Sequence, residues 1–199
     1  MDKKRKADEV KEEGLTYEDY ANLPDDGQRY ELVNGTLEML APAPSSEHQV
    51  ISNNLSAVIN QSCRHGYFIL VAPIDLILSN HEVRQPDLVM IHMERRHIIT
   101  RRGIEGAPDL VVEILSPSTA MNDKKSKWET YAHFGVKEYW IVDPVHRTIE
   151  QHVLHGEKSK YDLYEVYGKE EDTITSPYIS CLSIPVKEVF LHLDLLELD

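Results

Sequence analysis

A chain of 199 residues with 41% hydrophobic and 28% charged residues is long enough for one domain with a full core, and its composition excludes a disordered polymer. No apolar run approaches the roughly 20 residues that a membrane-spanning helix needs. The net charge of −13 argues against general affinity for polyanions, which leaves two readings: a local basic patch on an acidic body, or a partner other than nucleic acid. Composition alone favours the second.

Residues 1–13 are rich in charge without periodicity and read as a mobile tail, followed by one domain over 14–193. Met1-Asp2-Lys3-Lys4-Arg5-Lys6 lacks the apolar stretch of a signal peptide, so a cytoplasmic location is expected. Thr16 followed by Glu18 and Asp19 predicts a capped short helix that ends before Pro24. Asn34-Gly35 between two apolar-bearing runs predicts a hairpin, which the prolines at 42 and 44 close. Ser45 and Ser46 cap a helix to about Arg64, with Val50, Ile51, Leu55, Val58 and Ile59 along its core face. Strands are predicted over 67–71, 75–78, 87–91 and 110–115, then a helix over 118–134 and a strand over 138–142. A hairpin over 148–154 and 161–167, a last strand over 179–184 and a closing helix over 186–193 complete the chain. The fold class is therefore α/β: a mixed sheet flanked by helices, with hairpin extensions at both ends. Cys63 and Cys181 stand far apart without metal-ligand spacing and read as reduced, packed thiols. His152 and His155 have no third ligand in sequence and read as surface positions.

Glu113 interrupts the run Leu110-Val111-Val112-Glu113-Ile114-Leu115, otherwise apolar as a strand covered on both faces must be. A carboxylate there is costly to bury unless it is paired or holds a cation. Asp109 shares its strand, but four residues at about 3.3 Å each put it roughly 13 Å away. Asp87 opens a separate strand and, across a neighbouring-strand spacing of under about 5 Å, can share a hard cation with Glu113. Carboxylates holding Mg²⁺ acidify a water and neutralise a phosphate, and a lysine orients that water. Two residues after Glu113, where such a lysine usually sits, stands Leu115. The following helix supplies it instead: at about 100° per residue, Lys124 and Lys127 both reach the buried side and Lys125 does not. Glu31 is a third acid near the metal or else an exposed partner of Arg29.

Tyr30-Glu31-Leu32-Val33-Asn34-Gly35, Gln85-Pro86-Asp87-Leu88-Val89, Pro108-Asp109-Leu110-Val111-Val112-Glu113-Ile114-Leu115-Ser116-Pro117-Ser118-Thr119 and Tyr139-Trp140-Ile141-Val142-Asp143-Pro144 occur in that order. Together with Asp123, Lys127 and Tyr131 they resemble the Uma-type restriction-endonuclease family of the PD-(D/E)xK superfamily, over about residues 15–192. The resemblance implies a restriction-endonuclease-like fold and catalytic residues Glu31, Asp87, Glu113 and Lys127. The metal, Mg²⁺ or Mn²⁺, would be held by Asp87, Glu113 and the carbonyl of Ile114, with His48 near the start of the first long helix touching phosphate or water. The expected activity is metal-dependent hydrolysis of DNA phosphodiesters, in a homodimer that cuts both strands. Two rivals stand beside it: a catalytically silent member that binds nucleic acid or protein, and a hydrolase of small phosphate compounds.

Overall fold

The computed structural model describes residues 14–40, 43–116, 122–156 and 160–196, with residues 122–124 described in their backbone only. The expected tail at 1–13, Pro42, the first turn of the helix predicted from 118 and the side chain of Lys124 lie outside the described residues. Thr16 caps α1 (Tyr17–Ala21) through a reciprocal capping box with Asp19. Asn34 and Gly35, both at positive φ, turn β1 (Tyr30–Val33) into β2 (Thr36–Met39). Ser45 accepts the His48 amide at the start of α2 (Ser46–Cys63), which buries Ile51, Leu55, Ile59 and Cys63 at spacings of four. Next come β3 (Tyr67–Val71), β4 (Leu76–Ser79), β5 (Glu82–Arg84), β6 (Leu88–His92), a 3₁₀ turn (Met93–Ile98) and β7 (Ile104–Glu105). They are followed by β8 (Leu110–Ile114), α3 (Asn122–His133), β9 (Glu138–Asp143), β10 (Thr148–Val153) and β11 (Asp162–Tyr167). The chain closes with β12 (Thr173–Thr175), β13 (Ser183–Pro185) and α4 (Val186–Val189).

The main sheet has the order β11-β10-β9-β8-β6-β3, with β8 and β9 parallel and the other pairs antiparallel. A second sheet runs β2-β1-β5-β4-β7, and β12 pairs with β13. The predicted mixed sheet with hairpins toward both ends is what forms. The period of two along β8 sends Leu110, Val112 and Ile114 into a core shared with α2 and α4, and Val111 into a second core shared with Tyr131 of α3. Covered on both faces, this strand has no solvent side, which is why it lacks polar alternation. β5, β7 and β12 have no counterpart among the predicted strands.

Two expectations need correction, and one of the two readings of Glu31 is set aside. Cys63 and Cys181 form a disulfide rather than standing as thiols, their Cα atoms 5.3 Å apart. Packing of α2 against the C-terminal segment brings together two residues separated by 118 positions. Reduction is expected to destabilise the fold by about 2–5 kcal/mol, seen as a lower melting temperature in dithiothreitol and copied by Cys181→Ser. His152 is buried, not a surface residue: it stacks on Tyr139 and pairs with Trp128 and Glu150. Glu31 is buried as well, and Arg29 binds Gln85 instead of it.

One buried acid remote from Glu113 gives a test of stability. Glu138 is fully buried and accepts from Trp140, Gln151 and Ser176. Burial raises its pKa above the ordinary carboxylate value, against the pull of those three donors. A folded-state pKa above the unfolded one favours the protonated form, so its contribution is intact below the unfolded value and is lost as pH rises through the folded one. Glu138→Gln keeps an acceptor for Trp140 and Gln151 and turns an amide toward the Ser176 hydroxyl. The variant is expected to gain stability over the parent as pH rises above the ordinary carboxylate range and the raised Glu138 carboxyl group ionises. Equal denaturation midpoints throughout would refute this.

Candidate active site

Four chain segments converge at one end of the main sheet. β6 and β8 pair with Leu88 opposite Val112, and continuing that register sets Asp87 beside Glu113. The Asp87 carboxylate oxygen Oδ2 accepts the Ile114 amide at 2.8 Å and lies 3.1 Å from His48 Nε2. His48 sits in the first turn of α2, and its other ring nitrogen, Nδ1, is buried without a hydrogen-bond partner among the described residues.

Glu113 is 7% exposed. Its Oε2 takes the Lys127 ammonium at 2.9 Å and its Oε1 the Tyr131 hydroxyl at 2.7 Å. Lys127 and Tyr131 are one helical turn apart on α3, so both reach the same strand residue. Burial pushes the Glu113 carboxyl up to about 7, with Asp87 and Glu31 adding to the rise and Lys127 opposing it. Burial acts to lower the Lys127 pKa, but Glu113, Glu31 and Asp87 around it win, and the ammonium is held above its ordinary value. Burial and the Glu113 charge likewise keep the Tyr131 hydroxyl protonated, as a donor.

Glu31 enters from the second sheet. Its Oε1 accepts the Gln85 amide at 2.8 Å and lies 3.6 Å from Lys127 Nζ, while Oε2 meets Arg84 at 3.3 Å. Burial pushes its pKa up, but the neighbouring Lys127 and Arg84 outweigh that and leave it lowered. Arg84, 2% exposed, also binds Glu82 at 2.6 Å and the hydroxyls of Ser126 and Thr130 on α3 at 3.2 Å each. One buried guanidinium thus holds Glu31 beside Lys127 and fastens α3 on either side of that lysine.

The structure brings Glu31, Glu113 and Lys127 together, and Asp87 with His48 and the backbone of Ile114. Asp109 stays apart, accepting the His92 amide and Arg95. Lys125 is exposed, as its helical phase requires. Sequence reasoning missed Arg84 and Glu82. The available signal was Glu82-Val83-Arg84, two charges on the same side of a strand and able to satisfy one another.

Among the described residues no group of three or more His, Cys, Asp or Glu side chains is gathered to enclose a metal. The side chains of Asp87 and Glu113, set side by side by the strand register, nonetheless offer hard carboxylate oxygens. Mg²⁺ is commonly bound through one or two carboxylates while it keeps several waters, and this donor set fits that chemistry. A groove of about 290 Å³ opens at Asp87 and His48, bounded by Arg29, Gln49, Asn53 and Pro73.

Residues 17–187 match the family model described as "Uma2: Putative restriction endonuclease". A solved structure, "a putative nuclease belonging to DUF820 from Anabaena variabilis ATCC 29413", superposes with a TM-score of 0.71 at 21% identity, covering 88% of this chain and 97% of that one. At that identity the likeness establishes a common fold. No curated protein matches the chain. Among the described residues no helix is long and apolar enough to cross a membrane.

Proposed function

Because this chain belongs to the Uma2 family of restriction-endonuclease-like proteins, we propose that it is a Mg²⁺-dependent endonuclease that hydrolyses DNA phosphodiesters, with residues 14–193 as its catalytic unit. The observation that carries this reading is Lys127, its side chain 13% exposed and set between Glu113 and Glu31, while Asp87 lines up beside Glu113. A purely structural ion pair is replaceable by apolar residues with little loss, whereas two further acids at one buried pair cost stability that a catalytic role explains.

A cation held by Asp87, Glu113 and the Ile114 carbonyl would supply a more acidic water and neutralise phosphate charge. The protein groups have separate tasks. The Ile114 amide and His48 fix the rotamer of Asp87, and Tyr131 fixes that of Glu113. Lys127 orients the attacking water and faces the negative charge that develops on the phosphate. It arrives from α3, so Leu115 at the usual lysine position has no catalytic task. Glu31 holds Lys127 from the side away from Glu113. Duplex cleavage by a site of this kind calls for two copies, and a homodimer completes the proposal.

The test is digestion of supercoiled, linear and single-stranded DNA, and of RNA, with Mg²⁺ or Mn²⁺. Cleavage that disappears with EDTA and with Asp87→Ala supports the reading; intact substrates under every condition overturn it. The net charge of −13 favours a second reading, a silent binding module. Calorimetry with Mg²⁺ separates the two, since a module that only binds needs no cation.

A further inference from the structure

We propose that the arginine-bearing turn at residues 95–102 is the surface on which the phosphate backbone of the substrate strand lies as it leaves the cleavage site. This rests on the nuclease reading of that site and gives its substrate a path. The chain carries 34 acidic and 21 basic residues, yet Arg95, Arg96, His97, Arg101 and Arg102 fall within eight positions that contain no acid. A polyanion approaching this protein meets repulsion over most of the body and attraction here.

The place of the turn matters as much as its charge. The groove at Asp87 and His48 ends at Pro73. A second groove of about 270 Å³ begins at the same Pro73 and is lined by Thr100, Arg101, Arg102 and Gly103. Sharing Pro73, the two grooves are neighbours, with Asp87 lining the first and the Arg101 and Arg102 side chains the second. Asp75 also lines the second groove, but its carboxylate faces inward onto Tyr20 and Gln85. Arg29 borders the first groove, so positive charge is present on both stretches.

The turn is held in shape. Thr100 donates its amide to Gly103 O, and Ile104 donates to Asp75 O, both at 2.8 Å. Gly103 has φ +140°, and a Cβ there would lie 2.4 Å from Asp75 O, so only glycine lets the turn sit this close to β4. Arg95 anchors the turn from below through Asp109. Arg102 packs over the Tyr17 ring and reaches Glu105 with its side chain 61% exposed. Arg96 and Arg101 are exposed and have no ion-pair partner among the described residues. Guanidinium groups left unpaired on a fixed turn suit the oxygens of a phosphodiester chain.

The experiment measures binding in EDTA, where cleavage plays no part, by fluorescence anisotropy of labelled oligonucleotides about 20 nucleotides long over a salt series. The probes are single-stranded DNA, duplex DNA and RNA, with polyglutamate of matched charge as competitor. Arg101→Glu and Arg102→Ala are each expected to weaken binding about tenfold at low salt. The slope of log affinity against log salt should flatten by about 0.7–0.9 for each phosphate that is no longer neutralised. Arg101→Lys retains the charge and is expected to restore most of the binding. Unchanged affinity and slope in Arg101→Glu, with an unchanged melting temperature, overturn the proposal. Displacement of every nucleic acid by polyglutamate at equal charge also overturns it, because the surface then fits an acidic protein. Binding without cleavage once Mg²⁺ is added leaves this inference standing and removes the nuclease reading; cleavage with arginine-independent binding does the reverse.

Discussion

Glu113→Gln is expected to lower the rate of DNA cleavage by on the order of 10³-fold or more, as losses of charge-stabilising groups in buried sites do. The substitution keeps the size of the side chain and an acceptor for Tyr131, so the fold should survive. It removes the negative charge opposite Lys127 and, on the proposed reading, one of the two carboxylates that would hold a divalent ion. Calorimetry should show weaker Mg²⁺ binding in parallel with the kinetic loss. Asp87→Asn is expected to act in the same direction, and the pair together to cost little more than either alone if, as proposed, both serve one cation. A Glu113→Gln enzyme within about tenfold of the parent, correctly folded, would mean that the chemistry happens elsewhere.

The largest effect on stability is expected at Arg84. Its guanidinium is buried against Glu31 and Glu82 and ties both to α3 through Ser126 and Thr130. Its affinity for protons is raised although burial works the other way, because the two carboxylates dominate. Arg84→Ala leaves the buried Glu82 without its counter-charge and Glu31 with Lys127 alone, a change that typically destabilises by about 3–5 kcal/mol. For a chain of this length that corresponds to a fall in melting temperature of roughly 6–20 °C. Replacing Arg84 and Glu82 together by residues of similar volume should cost less than the sum of the single changes. Chemical denaturation of the three variants checks this; a neutral Arg84→Ala would show that the network carries no net stabilising energy.

The site is partly legible in the sequence because strands impose simple arithmetic. A period of two and an interstrand spacing of about 5 Å are enough to choose Asp87 over Asp109 as the neighbour of Glu113. Helical phase excludes Lys125 but leaves Lys124 and Lys127 open, and the choice of Lys127 comes from resemblance to a family. Arg84 is only faintly legible: Glu82-Val83-Arg84 pairs opposite charges, but a strand of three residues with charges at both ends looks solvated until the sheet and α3 close over it. The same holds for β7, whose two residues depend on parallel pairing with β4. The Cys63–Cys181 link is hidden for another reason: sequence spacing says nothing about which distant segments the core presses together. His152 misleads because a lone polar residue near a turn resembles surface until the aromatic rings around it are known.

The convergence of segments has a consequence for safety in the cell. Glu31 comes from one sheet, Asp87 and Glu113 from another and Lys127 from a helix between them, so the four groups are scattered along much of the chain. A cut anywhere between Glu31 and Lys127 separates at least one of these groups from the others in the chain. On the proposed reading, cutting waits until both sheets and α3 have come together, and is lost when any one of these layers comes loose.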